Sequence, residues 1–223
     1  MHTDDGSTPL DAQLLEAACV GRIIRKICVF EKISSTNAVA LAWGEQGDPE
    51  GCVAIAESQD AGRGQFGKDW HSAAYRGIWC SLLLRPSFPS AQLTCLTPLA
   101  VLAVAFSIRC SLGLEMTVKP PNDLYLSRGK ACGLLTEART GKNLFAVIGI
   151  GINVNQRRSD FPASLQGIAT SFREETGSIY DRTQIVLAIL SALDCLYTRL
   201  VSHAFEIQSL YQNWPRWKGH LSC

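Results

Sequence analysis

Residues 62 to 70 read Gly62-Arg63-Gly64-Gln65-Phe66-Gly67-Lys68-Asp69-Trp70. The glycines let the backbone take positive φ and approach a ligand closely. Arg63 and Lys68 put two cations on the same loop. Backbone N–H groups and cations together suit a phosphate or a carboxylate. The spacing Gly62-x-x-x-x-Gly67-Lys68 follows a phosphate-binding P-loop up to its last position, where Asp69 replaces the hydroxyl that would hold Mg²⁺. The stretch from Trp70 to Gly77 is also too short and broken for the helix a P-loop needs. Taken alone, the segment also fits a flexible surface hairpin.

Other polar groups recur along the chain. Ser35, Thr36 and Asn37 stand where a helix should begin, as an N-cap or as hydroxyl and amide partners for a ligand. Gln59 follows a strand and reads as a solvated loop residue or as one more such partner. Lys119-Pro120-Pro121-Asn122-Asp123 is a stiff turn carrying a cation, an amide and a carboxylate. Lys130 opens a strand, where most lysines simply face water. Gly133 could bring bare backbone to a ligand. Gly149 and Gly151 lead to Asn153 and Asn155, which read equally as a glycine-rich turn. The nine cysteines contain no C-x-x-C pair and the four histidines are scattered. Neither a zinc site nor a Cys–His nucleophile is indicated, which leaves positioning and electrostatics.

The chain that must position these groups has 223 residues, 47% of them hydrophobic, enough for one sizeable core. A net charge of +1 argues against a nucleic-acid clamp, so any phosphate site must be built from a few local cations. Most cysteines lie in apolar runs and read as buried free thiols in a reducing compartment. The first ten residues lack the apolar stretch of a signal peptide. The longest apolar run, Pro98 to Ile108, falls short of the roughly 20 residues that span a bilayer. A soluble, cytoplasmic protein is expected.

Strands are predicted over 23–30, 52–57, 77–84, 116–119, 124–126, 130–138 and 144–152. Helices are predicted over 14–18 (ended by Gly21), 37–43, 93–112, 179–203 and 205–217. Strands joined by short turns without βαβ alternation predict an α+β fold, a mixed, largely antiparallel sheet with helices packed on one face.

In order and spacing, these segments resemble the biotin–protein ligases. The loop at 62–70 matches the family's Gly-Arg-Gly-x-x-Gly-x-x-Trp signature. Ser35-Thr36-Asn37, Gln59, Lys119 to Leu124, Lys130 to Glu137 and Gly149 to Asn155 take their places around it. The resemblance implies a catalytic domain like that of class II synthetases. It implies a reaction in which ATP and biotin give biotinyl-5′-AMP and pyrophosphate. Biotin would then pass to a lysine of a biotin carboxyl carrier protein, such as an acetyl-CoA carboxylase subunit. Lys130 and Arg63 would be catalytic. Ser35, Thr36, Asn37, Gln59, Arg63, Gly64, Gln65, Lys130 and Gly133 would bind biotin. Arg63, Lys68, Trp70, Lys119, Asn122, Asp123, Lys130 and Asn153 would bind ATP. Trp70 would face the adenine, and Asp123 would help hold Mg²⁺. The chain departs from the family pattern at Phe66, often basic or small, at Pro120, usually tryptophan, and at Cys132, usually small. Gln65 stands where some members have a second arginine. The loop is therefore less charged than in some relatives, which weakens retention of an adenylate.

The expected layout is a leader over 1–20, a catalytic domain over 21–217 and a tail over 218–223. It has neither the N-terminal helix-turn-helix nor the C-terminal β-barrel of some members. No nucleic acid or membrane partner is expected, and the protein would be a monomer or homodimer. Two other readings stay open. One is a lipoyl or octanoyl transferase on the same fold, which would want a lysine and cysteine pattern instead of the Gly-Arg-Gly loop. The other is a non-catalytic biotin-binding module, favoured by the short C-terminus.

Overall fold

Alternating and continuous apolar runs set the strands. The computed structural model describes residues 5, 7–18 and 23–214, without the side chains of 201–208 and 210. Strands β1 (Lys26–Ile33), β2 (Cys52–Gln59), β3 (Gly77–Leu84), β4 (Thr117–Lys119), β5 (Asp123–Leu126), β6 (Gly129–Arg139) and β7 (Phe145–Asn153) form a sheet in the order β1-β2-β3-β7-β6-β5-β4. β1 and β2 run parallel and the other neighbours antiparallel, as the sequence led us to expect. The parallel pair needs a crossover, which the helix between those strands supplies. β3 and β7 lie mid-sheet and are covered on both faces, which is why they read as nearly unbroken apolar runs.

The helices are α1 (Ala12–Ala17), α2 (Thr36–Gln46), α3 (Leu96–Leu112), α4 (Phe172–Thr176) and α5 (Arg182–Asn213). Side chains alternate along a strand, so each strand serves two layers. Ile78, Cys80, Leu82 and Leu84 of β3, with Ile148, Ile150 and Ile152 of β7, join α3 and α5 in the main core. Leu83, Phe145 and Val147 point the other way and pack with α2 in a smaller cluster. The long helices thus share one face, while α2 takes the other.

α5 begins where Asp181 accepts the N–H groups of Thr183 and Gln184. It runs unbroken for 32 residues, not as the two helices expected. No glycine or proline interrupts it before Pro215, and Trp214 leaves the helical region just ahead of that proline. By length and composition, the 23 residues Ser90–Leu112 and the 19 residues Arg182–Leu200 each suffice to cross a membrane. In the fold α3 is a core helix, with Leu99 to Ala105 all buried.

The expected leader does not hold over 7–18. Leu10 and Leu15 belong to the core, and Asp11 caps α1 by accepting the Leu14 N–H. Glu57 and Arg182 form an ion pair of 2.7 Å, with side chains 5% and 3% exposed. Arg182 also donates to the carbonyls of Gly77 (2.9 Å) and Thr8 (2.6 Å), while Glu57 accepts the Leu10 N–H at 2.6 Å. These bonds fill the valences that make buried charge costly, and they staple the N-terminal segment to the core. The helix stop expected at Gly21 and the tail 218–223 lie outside the described residues. Cys28, Cys52, Cys80, Cys95, Cys110 and Cys132 are free thiols, and burial pushes Cys80 up to about 12. Cys195 departs from the expectation of free thiols, being disulfide-bonded.

Replacing Arg182 with Ala leaves the Glu57 carboxylate buried and unpaired, so stability should fall by about 3–5 kcal/mol. Urea unfolding measures this; a loss within about 0.5 kcal/mol, typical of surface changes, would mean that the staple carries no weight.

Candidate active site

The site is built on the α2 face of the sheet. Trp79 of β3 pairs with Gly151 of β7, Gly151 with Gly133 of β6, and Gly133 with Asp123 of β5. The next row on that face is Ser81, Gly149 and Leu135. Glycine at 133, 149 and 151 strips the middle of both rows of side chains. A Cβ at Gly149 would run into the amide of Asn37 at the start of α2. A Cβ at Gly133 or Gly151 would lie 2.6 Å from the indole of Trp70. The bare backbone is therefore a seat for Trp70. At Gly133, which was expected to bring bare backbone to a ligand, the room left by the missing side chain also seats an indole of the protein. Trp70 also meets Trp79 edge-on, with ring centroids 6.4 Å apart.

Above this floor is a cavity of about 470 Å³. Its walls are the start of α2, the loop 62–70, the turn 119–123 and the segment 161–169. Every residue expected at the site lines it: Ser35, Thr36, Asn37, Gln59, Arg63, Gly64, Gln65, Lys68, Trp70, Lys119, Asn122, Asp123, Lys130, Gly133 and Asn153.

The loop 62–70 closes on itself as a small finger. The Trp70 N–H donates to Gly62 (2.9 Å) and the Gly64 N–H to Lys68 (2.7 Å), with Arg63 and Asp69 bridged between them. Phe66 and Gly67 turn the tip with φ of 58° and 71°. A left-handed backbone costs a non-glycine residue about 1–2 kcal/mol. The Phe66 ring gains no burial in return, being 92% exposed. Arg63 and Lys68 are exposed, and no ion pair joins either to a described residue.

At one end of the cavity, Ser35 sits at the N-cap of α2, but its hydroxyl makes no capping bond. Gln59 takes over that work. Its Oε1 accepts the Thr36 N–H at 2.8 Å and lies 3.2 Å from Thr36 Oγ1, while its Nε2 donates to Ser72 at 2.8 Å. Beneath lie two polar side chains that the sequence reading missed. Ser81 Oγ is 2.8 Å from Thr36 Oγ1 and 2.6 Å from Asn37 Oδ1. Asn37 Nδ2 donates to Glu137 at 2.9 Å. A lone serine in the apolar run Gly77 to Leu84 was the available signal for Ser81.

Lys130 occupies the middle. Its Nζ lies 2.7 Å from Asp123 Oδ1 and 5.1 Å from the Trp70 ring centroid. Its backbone is held by the segment 168–170, donating to Ile168 and accepting from Thr170, both at 2.9 Å. That segment, with Phe161, Leu165 and Ile168 on the cavity, forms an apolar wall absent from the sequence reading. The expected magnesium role of Asp123 thus meets a carboxylate already engaged by a lysine. No cluster of three or more His, Cys, Asp or Glu side chains suited to a metal occurs among the described residues.

The remaining amides are partly spent on structure. Asn122 donates to the Leu134 carbonyl, and Asn153 bonds both Thr170 and Gln156. Asn155 clamps the backbone of Tyr180 and does not line the cavity. Lys119 Nζ lies 5.0 Å from the Tyr125 ring centroid. The turn beside it contains a cis Pro120–Pro121 peptide and is tethered by the Tyr211 hydroxyl of α5, 2.8 Å from the Pro121 carbonyl.

Comparison with known proteins agrees with this geometry. The model of the biotin/lipoate A/B protein ligase family matches residues 29–155. The bifunctional ligase/repressor BirA of Bacillus subtilis is 37% identical over 185 residues, covering 82% of this chain and 57% of the relative. The biotin–[acetyl-CoA-carboxylase] ligase of Mycobacterium tuberculosis is 33% identical over 193 residues, covering 83% of this chain and 70% of that one. The structure of the biotin protein ligase from Aquifex aeolicus in complex with biotin and ATP superposes with a TM-score of 0.70 at 26% identity, over 84% of this chain and 75% of that one. The chain spans a little over half the length of the Bacillus relatives it matches. The shared segment takes in the glycine floor, the finger and Lys130, and the chain belongs to the biotin/lipoate A/B protein ligase family.

Proposed function

We propose that this chain is an ATP-dependent biotin–protein ligase. One observation carries the reading: a single cavity joins a hydroxyl- and amide-lined end, a central lysine and an apolar wall with two exposed cations that have no ion-pair partner among the described residues. The names of its relatives support it. A ureido ring needs paired donors and acceptors, which Ser35, Thr36, Asn37 and Gln59 supply. The apolar tail of biotin would run over Trp70 toward Lys130. Trp70 rests on the glycine floor close to Lys130, so the wall of Phe161, Leu165 and Ile168 is the better seat for the adenine.

In the first step the biotin carboxylate attacks the α-phosphorus of ATP, and pyrophosphate leaves with its bonding electrons. Lys130 stabilises the charge that builds on the phosphoryl oxygens. It would exchange Asp123 for the substrates, freeing that carboxylate. Lys119 and Lys68 would offset the departing pyrophosphate. Magnesium, which prefers oxygen ligands, would arrive with the triphosphate, and Asp123 can offer it an oxygen. Arg63, Gly64 and Gln65 would hold the finger over the anhydride and keep water away. In the second step a lysine amine of a biotin carboxyl carrier protein attacks the acyl carbon and AMP leaves. A cysteine-based acyl transferase fits less well. Cys132 is fully buried on the opposite face of β6, and desolvation holds its thiol protonated.

The reading needs no nucleic acid or membrane and fits a monomer or homodimer in the cytoplasm. The free thiols support that compartment, with Cys195 the exception among the described residues.

The test is release of pyrophosphate from ATP, Mg²⁺ and biotin, followed by labelled-biotin transfer to a carrier domain. Neither product would sink the reading, and affinity for lipoate over biotin would redirect it. Lys130→Ala should slow adenylate formation by on the order of 2–4 kcal/mol, since a charge-stabilising contact is lost; a wild-type rate removes Lys130 from the chemistry. Arg63→Ala should fold normally, being on an exposed loop, and should release the adenylate faster in a filter-retention assay. An unchanged release rate argues against its assigned part.

A further inference from the structure

We infer that Glu137 is a positioning residue that dictates which groups at the hydroxyl-lined end of the cavity donate and which accept, and so sets its affinity for a cyclic urea. The inference rests on the proposed function. Glu137 and Ser81 do not line the cavity, so they act through Asn37 and Thr36.

The argument follows the protons. An ionised carboxylate only accepts, so Asn37 must turn its Nδ2 toward Glu137 (2.9 Å) and its Oδ1 toward Ser81 (2.6 Å). An amide oxygen also only accepts, so the single Ser81 hydroxyl proton goes to Asn37. Ser81 Oγ can then only accept from Thr36, 2.8 Å away. At the other end of the chain, the Thr36 N–H fixes Gln59 with its oxygen inward at 2.8 Å. The hydroxyl proton of Thr36 is therefore drawn toward Ser81 Oγ or toward Gln59 Oε1 at 3.2 Å, both acceptors. Either way, the Thr36 oxygen keeps a lone pair that no donor in this network claims. That is an acceptor on the cavity wall, suited to an N–H of a ureido ring and hostile to a carbonyl.

Gly149 makes the arrangement compact. The Asn37 amide lies where a Cβ of residue 149 would be, so the side chain has little room to adopt another rotamer. It can still exchange its oxygen and nitrogen by turning over in place. Only the charge of Glu137 forbids that exchange. A neutral amide at 137 would bond either end of Asn37. Turned over, Asn37 would donate to Ser81, the Ser81 proton would move to Thr36, and the cavity would offer ligand N–H groups a competing donor.

The experiment is steady-state kinetics and calorimetry on Glu137→Gln, with biotin, MgATP and a biotin methylated on a ureido nitrogen. KM for biotin should rise about tenfold, the scale of one compromised hydrogen bond. KM for ATP should stay within about twofold, which a general structural defect would not allow. Binding of the methylated analogue should change less than that of biotin. Ser81→Ala removes the one hydroxyl that could turn its proton onto Thr36, so in that background Glu137→Gln should raise KM for biotin by less than about threefold. Glu137→Asp keeps the charge and should stay well below the tenfold rise, so the inference remains testable if Glu137→Gln fails to fold. Wild-type biotin affinity in folded Glu137→Gln, or a tenfold rise in folded Glu137→Asp, overturns the inference alone. No biotin binding by the unaltered protein overturns the functional reading and the inference with it.

Discussion

The site depends on a place where the sheet carries no side chains. Gly133, Gly149 and Gly151 lie mid-sheet, where burial would ordinarily demand bulk. Their absence of Cβ atoms lets the Trp70 indole pack closely against β6 and β7 and lets Asn37 reach down from α2. Glycine weakens a strand, and here the cost is offset by large apolar neighbours. Trp79 is almost wholly buried beside Gly151, and the other face of the same strands carries Ile148, Ile150 and Ile152 into the main core. The functional face could be hollowed because the opposite face was filled.

Charge is handled locally. The chain is nearly neutral, yet Arg63, Lys68, Lys119 and Lys130 gather around one cavity. Of the four, Lys130 is tied to a carboxylate, while no ion pair joins Arg63, Lys68 or Lys119 to a described residue. Against these four cations the cavity lining sets only two carboxylates, Asp69 and Asp123. Thr36 and Gln59 at one end, and Ile168 at the other, are neutral.

The strands and the site segments were legible because both rest on local signals. Gly77 to Leu84 reads as a strand from composition and was found with those bounds. The site segments showed as clusters of glycine and short polar residues, and the fold brings them all to one cavity. What stayed hidden depends on distant partners. Nothing near Thr8 announces that its carbonyl meets Arg182. Nothing in the sequence around Ile168 shows that its carbonyl holds the backbone of Lys130. Gly133 reads as clearance for a ligand, and the sequence does not show that Trp70 also packs against it. The side of the sheet taken by α2 was equally invisible, since residues two apart in a strand and residues one apart look alike in an unbroken apolar run.

The fastening of the N-terminal segment has a mechanical side. Asp5 meets Arg76 at 2.8 Å, and that cation holds its carboxyl well below the usual carboxylate range. The Asp5 carbonyl accepts from Arg76 and Arg173, and Thr8 and Leu10 are held by Arg182 and Glu57. These anchors belong to β2, α4, α5 and the stretch leading into β3. Tension applied at residue 5 would be divided among several elements at once instead of peeling one bond after another, so the segment behaves as a rivet and not as a zip.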